Sequence, residues 1–351
     1  MEKCVAKKVK YPYLDIARGI GILLVIISHA HGLSKYLINY YIPIFFVISG
    51  FCYHGGDSYK TNIRKKAKRL LIPYFVYSSI LLVIYIFMGR NMQETKFSIF
   101  GILYSRFCLY DMSTYSDNIF LFTIANGAMW YLTAFFVTCL VFYAIADFVL
   151  KNKRNMTIVV ILLTVFTMAL AELPVLLPWS VDIAGVSTIF MIIGKRLADL
   201  GVYEKDTQAW KILVILIIYI FFSYINPGIN MSVREYGIYQ RWSVPIFIVI
   251  GMTGSMLCIW VAKMIQDTIV GRIVEYIGKN TIILIAFHIL GLEVFETIAL
   301  KFIDIQNLAG FAGFIYVVIR VGSSICGCLV LGWIINLLKQ KVTVKLQMNQ
   351  K

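Results

Sequence analysis

YPYLDIARGIGILLVIISHAHG, residues 11–32, decides the architecture. Between Leu14 and Ala30 the stretch is almost wholly apolar, with Asp15 and Arg18 at its start and Ser28 and His29 near its end. Such a run crosses a hydrocarbon core of about 30 Å. A backbone in lipid must satisfy its own hydrogen bonds, so the run is expected to be a helix. It lacks a small-residue cleavage site, which points to a retained first helix rather than a removed signal peptide.

Working outward, nine comparable runs follow. With the first, the expected spans are 13–31, 36–53, 70–88, 127–149, 156–174, 181–198, 210–226, 242–262, 281–302 and 312–338. Of the 351 residues 60% are hydrophobic and 15% charged, against roughly 25% charged in soluble domains. The expectation is an all-α polytopic membrane bundle of about ten transmembrane helices, forming one integral-membrane domain over residues 1–351. No soluble domain and no internal repeat is evident.

The formal net charge of +15 would suit a nucleic-acid binder, but its distribution argues otherwise. If the spans alternate in direction, 24 basic residues fall on one side, including Lys3, Lys7, Lys8, Lys10 and the run from Lys60 to Arg69. Only seven fall on the other: Lys35, Arg90, Lys96, Arg106, Arg234, Arg241 and Lys301. The positive-inside rule makes the 24-residue side, and both termini, cytoplasmic. The partner implied is the lipid bilayer, with no nucleic acid. Seven cysteines, mostly within spans, have no metal-ligand spacing beyond Cys326-Gly-Cys328, which lacks a nearby His, and read as small packing residues; no metal is expected.

Two outer connections stand out. Residues 89–128 form a long polar-aromatic stretch with Tyr104, Tyr110, Asp111, Tyr115 and Asp117, and residues 226–241 contain the turn signal Pro227-Gly228. Together they are expected to form an outward-facing mouth.

The ionisable residues of the first helix carry the chemistry. Arg18 and His29 are eleven residues apart, within about 20° of three full turns, so they share a face with Ile22 and Val25 between them. Their separation along the axis is about 16 Å. Intramembrane ionisable residues are costly and are functional candidates. The bland alternative has Arg18 snorkelling to lipid phosphates and His29 hydrogen-bonding at the interface. Asp15 is placed to pair with Arg18. His31, about 200° around the helix from His29, and His54, at a cytoplasmic edge, are given no role. Ser49 and Gly50 read as packing residues, since no His and acid follow in a hydrolase arrangement.

The stretch LDIARGIGILLVIISH (residues 14–29) resembles the opening signature of membrane acyltransferases of family three, an Arg followed by His. IPIFFVISGF (42–51), KRLLIPY (68–74), MWYLTAFF (129–136) and IGKNTIILIAFH (277–288) are similar to later segments of that family, with Thr281 where the family has Ser. The five segments keep the family's order from the first helix to the ninth, and the nearest likeness is to the branch resembling fucose 4-O-acetyltransferases.

The resemblance implies an O-acyltransferase of a bacterial inner membrane. It would move an acetyl group from cytoplasmic acetyl-CoA to a sugar hydroxyl of a surface polysaccharide or its lipid-linked precursor, with no permanently bound cofactor. His29 matches the family's catalytic His, which as a neutral imidazole suits a general base near pH 7. Arg18 matches its first-helix Arg, whose guanidinium fork could hold a carbonyl or phosphate of the donor. Lys66 and Arg69 match a pair of arginines that would meet the CoA phosphates. Lys66 keeps charge there but loses bidentate recognition. An ordinary positive-inside loop is the alternative. For the carbohydrate acceptor the candidates are Trp130, which could equally be an interfacial anchor, and His288. His288 lies mid-helix, with Thr281 and Leu284 on its face and Glu293 and Glu296 further out; a satisfied core histidine is its alternative. A homo-oligomer is left open. A transporter or flippase for a lipid-linked sugar would also suit ten helices with buried Arg and His; a sensor or scaffold ranks last.

Overall fold

The computed structural model describes residues 11–31, 39–106, 127–204, 208–305, 308 and 310–348. The chain is an all-α polytopic membrane bundle. Among the described residues there are twelve α-helices and one two-stranded hairpin, and seven of the helices are long and apolar enough to cross a membrane.

Helix α1 (Pro12–His31) begins on a proline, whose missing N–H costs nothing in a first turn, and its early Asp15 is ion-paired to Arg18 as expected. Helix α2 is shorter than expected. Within the described part of span 36–53 only Pro43–Phe51 is α-helical, about 14 Å or half the hydrocarbon thickness. All but one of its residues are buried; ahead of it Asn39 is buried and Tyr40, Tyr41 and Ile42 are partly buried. Helix α3 departs the other way, starting at Tyr59 instead of 70 and running to Phe87. Ser58 caps it, accepting from the Thr61 N–H at 3.3 Å, so the basic run 60–69 is helix rather than loop.

The long outer stretch contains a helix that hydropathy does not reveal, α4 (Met92–Tyr104), opened by a capping box between Asn91 and Glu94. Residues 107–126, with Tyr110, Asp111, Tyr115 and Asp117, lie outside the described residues. Helices α5 (Trp130–Val149), α6 (Lys153–Leu170), α7 (Ala184–Asp199), α8 (Ala209–Ile225) and α9 (Ser243–Ile265) follow the remaining expected spans closely. An extra helix, α10 (Ile269–Lys279), precedes α11 (Thr281–Ala299), and α12 (Gly310–Met348) runs past the expected 338.

Small residues set the tightest contacts. A Cβ on Gly50 would collide with the Met191 carbonyl, and one on Gly194 with that of Val47, so α2 and α7 meet backbone to backbone. Gly19 and Gly278 do the same for α1 and α10, against the carbonyls of Val274 and Asp15. Helix α1 thus sits centrally, touching α2, α9, α10, α11 and α12. Apolar side chains of α6 (Ile161, Leu162, Val165), α8 (Leu213, Ile217, Ile220) and α12 (Phe311, Phe314, Val318) stay exposed, as lipid-facing surfaces do.

The second outer connection folds on its turn signal. Gly228 adopts φ +81°, after which β1 (Ile229–Asn230) pairs antiparallel with β2 (Glu235–Tyr236). Asn226 fastens this hairpin, donating to the Tyr236 carbonyl at 2.8 Å and accepting from Ser243 Oγ at 2.7 Å. A buried ionic knot braces it from behind. Both oxygens of Asp182 are used, one by Arg106 and the other by Arg234 at 3.3 Å and by the Leu177 N–H at 3.1 Å. Arg106 also donates to the Ser232 carbonyl at 2.8 Å. The side chains of all three ionic residues are fully buried.

Candidate active site

A cavity of about 640 Å³ opens where residues of the expected outer connections converge. That is within the roughly 300–1,000 Å³ usual for ligand sites. Tyr41 before α2, Arg90 and Glu94 at the α3–α4 junction, Gly127 and Ala128 before α5, and Asn230 and Ser232 of the hairpin all line it. So do Ile22, Val25 and His29 of α1, the stripe that the eleven-residue spacing places on one face.

The cavity lining combines polar and charged groups, Arg90, Glu94, Asn230, Ser232 and Glu293, with the apolar Ile22, Val25, Phe45 and Ile285. His29 and His288 line it as well. Their ring centroids are 5.2 Å apart, with the planes tilted by 52°. His29 is accessible from the cavity; His288 has no exposed surface. His288 Nδ1 lies 2.7 Å from the Leu284 carbonyl. A carbonyl only accepts, so Nδ1 carries the hydrogen and Nε2 holds the free lone pair. Among the described residues that Nε2 is buried without a hydrogen-bond partner.

Trp130, buried yet on the cavity wall, packs edge-on against Tyr131 with centroids 6.2 Å apart. The structure therefore brings together three of the residues singled out from sequence: His29, His288 and Trp130. The outer wall adds groups that sequence reading passed over. Tyr85 donates to Glu293 Oε2 at 2.8 Å, and the Arg90 guanidinium lies 4.5 Å above the Tyr85 ring while donating to Ser98 Oγ at 3.0 Å. Glu293, five residues beyond His288, had a signal in the sequence; Arg90 and Tyr85 had none beyond their position at a helix end.

The residues expected to meet the donor lie toward the opposite end. Arg18 is one turn short of the cavity stripe, ion-paired to Asp15, with Nη2 3.8 Å from Cys52 Sγ. Lys66 donates to Ser49 Oγ at 3.4 Å and sits 4.9 Å above the Phe135 ring. Ser49 and Cys52 are one turn apart, so Arg18 and Lys66 converge on the C-terminal end of α2. Arg69 does not join them. It is exposed on α3 and makes no ion pair or hydrogen bond with the described residues. Aromatic rings lead from this basic end to the cavity wall, where Tyr131 and Phe45 are lining residues. Phe135 stacks on Tyr131 at 5.8 Å, and Tyr131 packs against Phe45 and Phe46 at 5.6 Å each. His54 is exposed, and the side chain of His31 lies outside the described residues.

Residues 11–333 match a family model described as an acyltransferase domain. Comparison with curated proteins and with solved structures gives no match.

Proposed function

The chain belongs to the acyltransferase 3 family and is a membrane acyltransferase; on that premise we propose that it moves an acetyl group from cytoplasmic acetyl-CoA to a sugar hydroxyl of a surface polysaccharide or its lipid-linked precursor. The observation that carries this reading is the pairing of His29 with His288 on the wall of one cavity. Arg18 lies toward the far end of α1 from His29, and Lys66 of α3 meets the same end of α2 as Arg18. The roughly 16 Å from Arg18 to His29 is comparable to the reach of an extended pantetheine arm, so CoA stays at the basic end while its thioester reaches the histidines.

In this scheme the acceptor sugar enters the cavity against Trp130, Arg90 and Glu293. His29 takes the proton of the attacking hydroxyl, and the oxygen bonds to the thioester carbonyl carbon. The C–S bond then breaks, and the proton held on His29 passes to the departing thiolate. The products are the O-acetyl ester and CoA thiol, with His29 neutral again. His288 Nε2 keeps a free lone pair, so it can accept a hydrogen bond from a second hydroxyl of the sugar while the attacking hydroxyl gives its one proton to His29. The test is NMR of surface glycans from bacteria with and without the protein. Loss of one O-acetyl signal is expected; identical spectra would overturn the reading.

The orientation has its own test. Reporter fusions after Lys66, Lys153 and Lys341 are expected to report cytoplasm, and fusions near Tyr115 and Met231 the outer side, following the 24-to-7 partition of basic residues. A cytoplasmic signal at Tyr115 would reverse the proposed geometry.

Donor binding separates from chemistry by the same layout. Arg18→Lys keeps charge and loses the guanidinium fork, so acetyl-CoA affinity is expected to fall about tenfold. Lys66→Ala removes a cation at a hydrated edge. At most about 1.5–3 kcal/mol is at stake there, and the effect is expected on KM more than on kcat, shrinking with salt. Arg69→Ala, on the exposed side of α3, is expected to change least. Calorimetry with acetyl-CoA on detergent-solubilised variants measures this directly. Unchanged affinity in all three would place the donor elsewhere.

A further inference from the structure

Two hydrogen bonds from α12 reach the backbones beside both histidines, and the transfer scheme uses neither. Arg320 Nη1 donates to the Ala30 carbonyl at 2.9 Å, and Nη2 is ion-paired to Glu296 of α11. One turn along α12, Ser324 Oγ donates to the His288 carbonyl at 2.8 Å. Residues 320 and 324 lie on one face of α12. That face continues through the buried Cys328. Gly291 of α11 allows the approach, because a Cβ there would stand 3.1 Å from Ser324 Cα.

These contacts fall where they control the pair. Ala30 follows His29 in the last turn of α1, where carbonyls lack intrahelical donors and a cation also complements the helix dipole. Arg320 therefore joins the end of α1 to α11 in a single side chain, and Ser324 fixes α12 on the turn of α11 that carries His288. The two imidazoles are on different helices, so their separation depends on how α1 and α11 sit against each other. A misplacement of about 1 Å can cost on the order of 10²-fold in rate.

We infer that Arg320 and Ser324 are positioning residues that hold His29 and His288 at their working separation. The inference rests on the proposed acetyl transfer. It is tested by the transfer of label from radiolabelled acetyl-CoA to surface glycan extracted from a strain lacking the protein, using purified full-length variants. Ser324→Ala and Arg320→Gln are expected to lower kcat about tenfold while KM for acetyl-CoA stays within about twofold. Ser324→Thr, which keeps the hydroxyl, should restore most of the rate, and Arg320→Lys should fall between. If Arg320→Gln fails to reach the membrane, the Ser324 series carries the test alone. The decisive arm is a double-mutant cycle: in a His288→Ala background, Ser324→Ala should cost less than about twofold more, because its effect runs through that histidine. A full tenfold loss persisting in that background, or a change confined to KM, would overturn the inference. Wild-type turnover by His288→Ala would instead overturn the assignment of the histidine pair, and the inference with it.

Discussion

Replacing His29 by alanine is expected to lower acetyl transfer by about 10²–10⁴-fold, the usual cost of removing a general base, with membrane abundance close to normal. Abundance should hold because the ring lines the cavity and makes no hydrogen bond with the described residues, among which its ring contact is with His288. Packing around α1 is carried by other residues, Ile16, Ala17, Ile22 and Ile26, all without exposed surface. Acetyl-CoA binding should be unaffected, since Arg18 is about three turns away on α1 and both Arg18 and Lys66 touch the C-terminal end of α2 instead. The variant should thus bind donor and fail to turn it over, opposite to the basic-residue variants. His288→Ala is expected to cost less, because it removes a hydrogen-bond acceptor and leaves the base in place. Half of wild-type turnover in His29→Ala, measured on the same glycan, would show that the base lies elsewhere.

What the sequence made legible was local, and what it hid was not. Helical spacing within α1 is enough to put Ile22, Val25 and His29 on one stripe, and the cavity uses that stripe. The basic count sorted the connections into two groups, and Arg90, Asn230 and Ser232 of the outer group do meet at one cavity. Hydropathy alone misread α2, because apolar residues before Pro43 count toward a span whether or not the backbone is helical. It read 60–69 as a loop because charge dilutes the apolar signal, although Ser58 and the absence of Gly or Pro in that run favour helix. The side to which Arg69 points depends on how α3 is rotated against α5, which no local pattern fixes. Tyr85 and Glu293 are 208 residues apart in sequence, and Asp182 is 76 from Arg106 and 52 from Arg234. Pairings at such separations come from the packing of the whole bundle.

Asp182→Ala is expected to be the most damaging single change to the outer cap. Asp182 accepts from two guanidinium groups and one backbone N–H, all inside the protein, and its removal leaves those donors facing a methyl group. Breaking a buried ion pair from one side costs about 3–5 kcal/mol, because the remaining charge has already lost its water. The exposed pair between Lys65 and Asp57, at 2.6 Å, is the control. Its geometry is as close, yet solvent and salt screen it, and Asp57→Ala should cost less than about 1 kcal/mol. The difference isolates burial as the cause. Damage should also be regional. Arg106 holds the Ser232 carbonyl and Arg234 the Val175 carbonyl at 3.1 Å, so loss of Asp182 loosens the hairpin and the segment after α6 together. Hydrogen exchange in detergent should therefore accelerate over residues 171–183 and 229–236, while the buried turns of α1 and α2 keep their protection. Because Asn230 and Ser232 line the cavity, acceptor KM should rise even in molecules that stay folded. Exchange in Asp182→Ala indistinguishable from that in Asp57→Ala would mean that the knot does not hold the cap. The hairpin would then depend on Asn226 and its bonds to Tyr236 and Ser243.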